Sequence, residues 1–127
     1  MELTVTSVLT GAMAIMLALL SFPIADHRRK NRISAGDGGD EAFNRLIRAQ
    51  ANFTEYVPIS LLLVALVELC GFQAPVVWGL AGTLAVSRLV HALGLIRNIV
   101  WARALGMILT LLVLVVGGGM LIVGKLL

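Results

Sequence analysis

The sequence predicts an all-α integral membrane protein, a single domain (residues 1–127) in which four antiparallel helices cross the bilayer. Hydrophobic residues make up 59% of the 127 residues and charged residues only 13%, whereas soluble domains average about 45–50% and about 25%. The mean hydropathy is +0.97. The apolar residues fall into four runs of a length suited to the roughly 20 residues that a spanning helix needs. Short polar loops separate these runs.

The first apolar run, residues 3–25, has two interpretations: a secretory signal or a retained transmembrane helix. A signal has a basic segment ahead of a shorter apolar core. Here Glu2 is the one charged residue before the run, while Pro23 lies near its end and a basic cluster follows it. We therefore predict a retained transmembrane helix.

The second helix is predicted over residues 41–69. It begins near Asp40 or Glu41, since carboxylates are favourable at a helix N-terminus. The helix is longer than the bilayer requires, so its first turns are expected to project beyond the membrane. Pro58 removes one backbone hydrogen bond and is expected to kink the helix.

The third and fourth helices are predicted over residues 76–96 and 102–123, the third after a tight turn at residues 71–75. Three consecutive glycines, residues 117–119, indicate close helix contact or bending in the fourth helix. The glycine-rich residues 34–40 predict a surface loop. Because Cys70 is the single cysteine, the sequence predicts no internal disulfide. Neither His27 nor His91 has a second ligand at helix spacing, so no metal site is predicted.

Basic residues predict the orientation of the helices. The positive-inside rule assigns the two basic loops to the cytoplasm and both termini to the opposite side. Topology then explains the net charge of +3, which gives no reason to expect a nucleic-acid partner. The loops carry Arg28, Arg29, Lys30 and Arg32 after the first helix and Arg97 and Arg103 after the third, against Lys125 on the other side.

A polar stripe on the second helix is the strongest functional signal. Arg45, Arg48, Asn52 and Glu55 fall within an arc of about 80° at the helical period. Asn52 and Glu55 are expected to lie within the hydrocarbon thickness, where a charge costs a few kcal/mol and marks a candidate functional site.

The third helix adds Arg88 and His91, which share a face three residues apart and are predicted at the same depth. Several arginines and only one buried glutamate leave an excess of positive charge, which suits an anionic ligand. Guanidinium groups bind carboxylates through two parallel hydrogen bonds. Asn52 both donates and accepts hydrogen bonds, which fits a peptide-like group, and the apolar flanks fit a lipophilic second substrate. The alternative is an ion-pair network of Arg48, Glu55 and Arg88 that only fixes helix register.

The segment RLIRAQANFTEYVP, residues 45–58, resembles the second-helix signature of the membrane-associated proteins in eicosanoid and glutathione metabolism (the MAPEG family). The pattern R-x-x-R-A-Q-x-N-x-x-E-Y-x-P is long and specific. It is nearest to the microsomal glutathione transferase and cysteinyl-leukotriene synthase branches. The length, the four spans and the Arg88-x-x-His91 pair agree with it, and the short loops resemble a bacterial member, for which we predict the inner membrane.

The resemblance implies a homotrimer that binds glutathione at subunit boundaries near the cytoplasmic side. It implies that Arg103 activates the glutathione thiol for attack on a lipophilic electrophile or a lipid hydroperoxide. The chain departs from many members at Leu95, where they carry a tyrosine. The residues that would bind glutathione are Arg28, Arg29, Arg48, Gln50, Asn52, Glu55, Tyr56, Arg88 and His91.

Two other functions stay open at this point. The family also includes a binding protein without catalytic activity, which would retain the stripe but could dispense with Arg103. Small proton-coupled multidrug exporters also have four short spans. They rely on a membrane-embedded acid in the first helix, and residues 3–25 contain none.

Overall fold

The computed structural model describes residues 2–126 and contains four helices: α1 (Thr4–Asn31), α2 (Glu41–Leu69), α3 (Ala74–Ile96) and α4 (Val100–Leu126). Each is long and apolar enough to cross a membrane, and no strand occurs within residues 2–126. The prediction of an all-α, four-helix membrane protein is confirmed. Short loops make consecutive helices antiparallel, so the N-terminus of α2, the C-terminus of α3 and the N-terminus of α4 lie at one end of the bundle.

Helix α1 extends to Asn31, six residues beyond the predicted end at Ala25, with Pro23 inside it. A proline removes a single backbone hydrogen bond, and basic residues in the last turn are favourable at a helix C-terminus. The residue after the helix, Arg32, is its C-cap and adopts a left-handed conformation with φ 54°. The basic residues 28–30 therefore belong to the helix and not to the loop that follows it.

The N-terminus of α1 is capped by a residue of another helix. Leu3, at the N-cap, offers no side-chain hydrogen bond. The Glu68 carboxylate accepts hydrogen bonds of 2.8 Å from the backbone N–H groups of Val5 and Thr6, and one of 2.7 Å from the Thr6 hydroxyl. A carboxylate satisfies the unpaired N–H groups and the positive end of the helix dipole. Glu68 thus ties the start of α1 to the end of α2.

Helices α3 and α4 approach closely near the loop that joins them, because glycines face the opposing helix. A Cβ at Gly106 would lie 2.6 Å from the Cβ of His91, and a Cβ at Gly94 would meet the backbone of Arg103. In the predicted glycine run, Gly117 packs under the Leu63 side chain, while a Cβ at residues 118 and 119 would meet no atom of residues 2–126 within 4 Å. The closest helix contact therefore depends on Gly94 and Gly106.

Candidate functional site

A polar cavity of about 370 Å³ lies between α2, α3 and α4, at the end of the bundle that carries the basic loops. Among the residues that the structure describes, its lining includes three arginines and one histidine and no carboxylate. Such a wall attracts an anionic ligand. The lining residues are Asn44, Arg45, Arg48, Asn52, His91, Leu95 and Arg103.

One face of α2 supplies the first wall of the cavity. Asn44, Arg48 and Asn52 are spaced four residues apart and therefore lie above one another on the helix. Asn52 is 9% exposed, whereas Arg48 is exposed. Arg45 is half-buried, and its Nε has no hydrogen-bond partner within the described residues. Sequence reasoning missed Asn44 as a lining residue, although it lies one helical turn before Arg48.

The opposite wall is formed where α3 meets α4. His91 is buried, and its Nδ1 lies 2.8 Å from the backbone carbonyl of Arg103. Because a carbonyl oxygen only accepts, Nδ1 carries the proton, and Nε2 of a neutral ring remains an acceptor. This hydrogen bond and the close helix contacts at Gly94 and Gly106 hold Arg103 against α3. Leu95, at the position where many family members carry a tyrosine, gives this wall an apolar side chain in place of a hydroxyl.

Arg88 lies behind this cavity and is fully buried, at 0% exposure. Its Nη2 donates to Asn52 Oδ1 and its Nη1 donates to the Thr110 hydroxyl at 3.2 Å. The Thr110 hydroxyl also donates to the Gly106 carbonyl at 2.9 Å, and the Tyr56 ring centroid lies 5.9 Å from the guanidinium carbon of Arg88. Thr110 was missed in the sequence, because nothing local marks a hydroxyl on α4 as the partner of an arginine on α3.

No ion pair within 4.0 Å joins Arg48, Glu55 and Arg88 among residues 2–126, where the ion pairs found are those of Asp26 and Asp40. Within one subunit, Arg88 is held by neutral oxygen acceptors. An ion-pair network of these three residues is therefore not what fixes helix register inside the described chain.

Several of the predicted residues lie away from the cavity within a single subunit. Gln50 donates to the Ser21 hydroxyl on α1 at 2.8 Å. Glu55 is exposed on α2 and does not line the cavity. Arg28 donates to the Gly36 carbonyl at 2.8 Å and lies over the Phe43 ring. Arg29 pairs with Asp26 at 3.1 Å. The structure thus brings Arg48, Asn52, His91 and Arg103 together. It leaves the other six predicted residues outside the cavity lining: Arg28, Arg29, Gln50, Glu55, Tyr56 and Arg88.

The fold and the cavity define a class of protein: a small four-helix integral membrane protein with a cationic cavity at one end of the bundle. The sequence matches the model of the MAPEG family over residues 6–123, and the chain belongs to this family. The resemblance inferred from residues 45–58 is confirmed. Membership places the protein among the membrane proteins of glutathione and eicosanoid metabolism.

Two similar proteins are both described as inner membrane protein YecN, one from Escherichia coli strain K12 and the other from Escherichia coli O6:H1 strain CFT073. Each is 31% identical to this chain over 94 residues, which is 74% of this chain and 72% of the relative. This name gives a location for those proteins and no activity.

Proposed function

We propose that the protein is a membrane-bound glutathione transferase or peroxidase, which activates the glutathione thiol for attack on a lipophilic electrophile or a lipid hydroperoxide. The observation that carries this proposal is the set of three arginines, without any carboxylate, around a cavity that also presents the amide of Asn52. Glutathione has two carboxylates, one ammonium group, two peptide bonds and a thiol. Arg45 and Arg48 suit the carboxylates, and the amides of Asn44 and Asn52 suit the peptide groups.

The exposed polar residues of α2 support assembly as a homotrimer. Arg48 and Glu55 are exposed in a single subunit, and charged side chains at membrane depth are costly when they face lipid. A neighbouring subunit would cover them, and its Arg28, Arg29 and Gln50 would complete the glutathione site at the boundary. We expect three chains per particle in mild detergent, by light scattering or native mass spectrometry. A particle of one chain that retains glutathione-dependent activity would contradict this arrangement.

Location follows from the same features. We propose a bacterial inner membrane, in line with the relatives' names, with both termini on the non-cytoplasmic side. The cavity then opens at the cytoplasmic end, where glutathione is available, and lipophilic substrates reach it from the bilayer.

The proposed chemistry depends on forming a thiolate. A thiol with a pKa of about 8.5 is mostly protonated at neutral pH, and nearby fixed positive charge stabilises the anion. Arg103 lines the cavity and would supply this charge. The thiolate forms a sulfur–carbon bond with an electrophile, whose leaving group departs with the bonding electrons. With a hydroperoxide, the thiolate attacks the terminal oxygen: a sulfur–oxygen bond forms, the oxygen–oxygen bond breaks, and the alkoxide takes up the proton that the thiol released and leaves as the alcohol. The thiol of a second glutathione then attacks the sulfur of the resulting sulfenic acid, water leaves and the disulfide forms.

A binding protein without catalytic activity is the second candidate, and Leu95 favours it, because a hydroxyl donor is absent from the cavity wall. Arg103 favours the enzyme, since it lies on the same cavity as Asn52 and His91. Family membership argues against the multidrug exporter. Glutathione-dependent turnover of a general electrophile by the purified protein separates the first two candidates: turnover supports the transferase, and binding without turnover supports the binding protein.

Substitutions on α2 test the location of the site. We expect Asn52→Ala to weaken glutathione binding by about tenfold, because it removes an amide that lines the cavity and its hydrogen bond to the ligand. We expect Glu55→Gln to weaken binding as well, because it removes the negative charge that would pair with the glutathione ammonium group at the subunit boundary. Assembly should be retained in both variants. Thr54→Ala is the matched control, since Thr54 is exposed on the same helix and, among residues 2–126, its hydroxyl donates only to the Ala51 carbonyl. Calorimetry that finds unchanged affinity in both variants would contradict the site.

A further inference from the structure

The amide of Asn52 is shared between the cavity and the buried guanidinium of Arg88. Its oxygen, Oδ1, accepts a hydrogen bond from Nη2 of Arg88, while the residue also lines the cavity. A guanidinium carries only donors, and an amide has one oxygen that accepts and one NH₂ group that donates. The oxygen must therefore be the atom that faces Arg88, and the NH₂ group is left for the cavity.

We infer that Arg88 is a positioning residue that fixes the amide of Asn52 so that the cavity is offered an N–H donor and not an acceptor. The inference rests on the proposed function and refines it: at this point the site recognises an acceptor oxygen of glutathione, a carboxylate or a peptide carbonyl. Arg88 does not itself touch the ligand, because it is fully buried and lies outside the cavity lining. The family resemblance alone implies a direct contact between Arg88 and glutathione.

The position of Arg88 is itself fixed from the other side. Its Nη1 donates to the Thr110 hydroxyl on α4, and that hydroxyl lies 3.0 Å from the hydroxyl of Ser87. Arg88 thus bridges α2 and α4 from α3, and rotation of its guanidinium would break a bond at each end. A buried arginine held at both ends restrains the Asn52 amide more tightly than a solvated side chain does.

Asn52→Asp distinguishes a role of Arg88 in orienting the Asn52 amide from a purely structural role. If Arg88 orients the amide, the variant should lose glutathione affinity without losing thermal stability, whereas a purely structural role would lower both. A carboxylate at position 52 would pair with the buried guanidinium, which otherwise has no acidic partner within 4.0 Å among residues 2–126. The variant should therefore unfold at a temperature equal to or above that of the wild type. Its glutathione affinity should fall by about tenfold or more, because an acceptor replaces the donor that faces the ligand.

A double-mutant cycle tests whether Arg88 acts through Asn52. Arg88→Met should weaken glutathione binding in the wild-type background and change it by less than about twofold in the Asn52→Ala background. Ser87→Ala is the matched control. It removes a buried hydroxyl beside Thr110 but keeps the bond between Arg88 and Asn52, so it should lower thermal stability without changing affinity.

The outcomes distinguish this inference from the function on which it rests. Wild-type protein that shows no glutathione binding by calorimetry would overturn both. Wild-type binding that Asn52→Asp leaves unchanged would overturn the inference alone. Additive losses of affinity in the double-mutant cycle would also overturn the inference, because they would mean that Arg88 acts on the ligand by another route. A fall in both stability and affinity in Asn52→Asp would overturn it as well. Retained stability with lost affinity and a non-additive cycle would support it.

Discussion

Replacing Arg103 with leucine is expected to lower glutathione-dependent turnover at pH 7 by about tenfold or more, while glutathione affinity falls much less. The guanidinium lines the cavity and, in the proposed mechanism, stabilises the thiolate. Its removal raises the pKa of the bound thiol, and each pKa unit corresponds to about 1.4 kcal/mol. The thiolate fraction at neutral pH then decreases, and it recovers as the pH rises toward and beyond the pKa of the free thiol.

The measurement is a pH–rate profile of the wild type and of Arg103→Leu from about pH 6 to about pH 9, the range around an ordinary thiol pKa. The ratio of the wild-type rate to the Arg103→Leu rate should be largest at low pH and should decrease toward one as the pH rises. Arg97→Leu is the matched control, since Arg97 lies in the short connection just before α4 and is exposed but does not line the cavity. An equal loss in Arg97→Leu, or a loss in Arg103→Leu that is constant with pH, would contradict the assigned role.

The second large effect is expected at Gly106. A methyl group at Gly106 would lie 2.6 Å from the Cβ and backbone nitrogen of His91, so Gly106→Ala must push α3 and α4 apart. Overpacking of this kind costs about 1–3 kcal/mol. The same displacement would disturb the bond between His91 and the Arg103 carbonyl, and with it the cavity wall. We expect a lower unfolding temperature in detergent together with weaker glutathione binding.

Gly118→Ala and Gly119→Ala are the controls, because they make the same change in the same helix at positions where a Cβ meets nothing within 4 Å. Both should unfold at about the wild-type temperature and bind glutathione normally. If they destabilise the protein as much as Gly106→Ala does, the close contact with His91 is not the cause of the effect, since alanine is itself more favourable than glycine within a helix.

The predictable part of the fold is the part that depends on hydropathy and local motifs. Four apolar runs predicted four helices, because crossing a bilayer requires length and apolarity and little else. The end of α1 was predicted six residues too early, because the apolar run ends at residue 25 and the basic residues after it were assigned to a loop. In the structure they form the last turns of a continuous helix.

The predictable part of the site is the part that lies on one helix. The spacing of Arg48 and Asn52 predicts a shared face, and both line the cavity. The bond between Arg88 and Asn52 and the cap that Glu68 provides join different helices. They depend on how each helix is rotated about its axis, which hydropathy does not fix. The placement of Arg28, Arg29 and Gln50 outside the cavity similarly depends on packing, and their role in binding stays a prediction about neighbouring subunits.

The central claim is that this cavity binds glutathione as a thiolate, and ultraviolet difference absorbance tests it most directly. Glutathione added to the wild-type protein at neutral pH should produce thiolate absorbance in proportion to the occupied sites, because nearby positive charge stabilises the anion. Arg103→Leu, saturated with glutathione, should produce much less at the same pH. If the wild type binds glutathione without forming a thiolate, or if Arg103→Leu forms just as much, Arg103 is not the activating residue and the proposed mechanism is wrong.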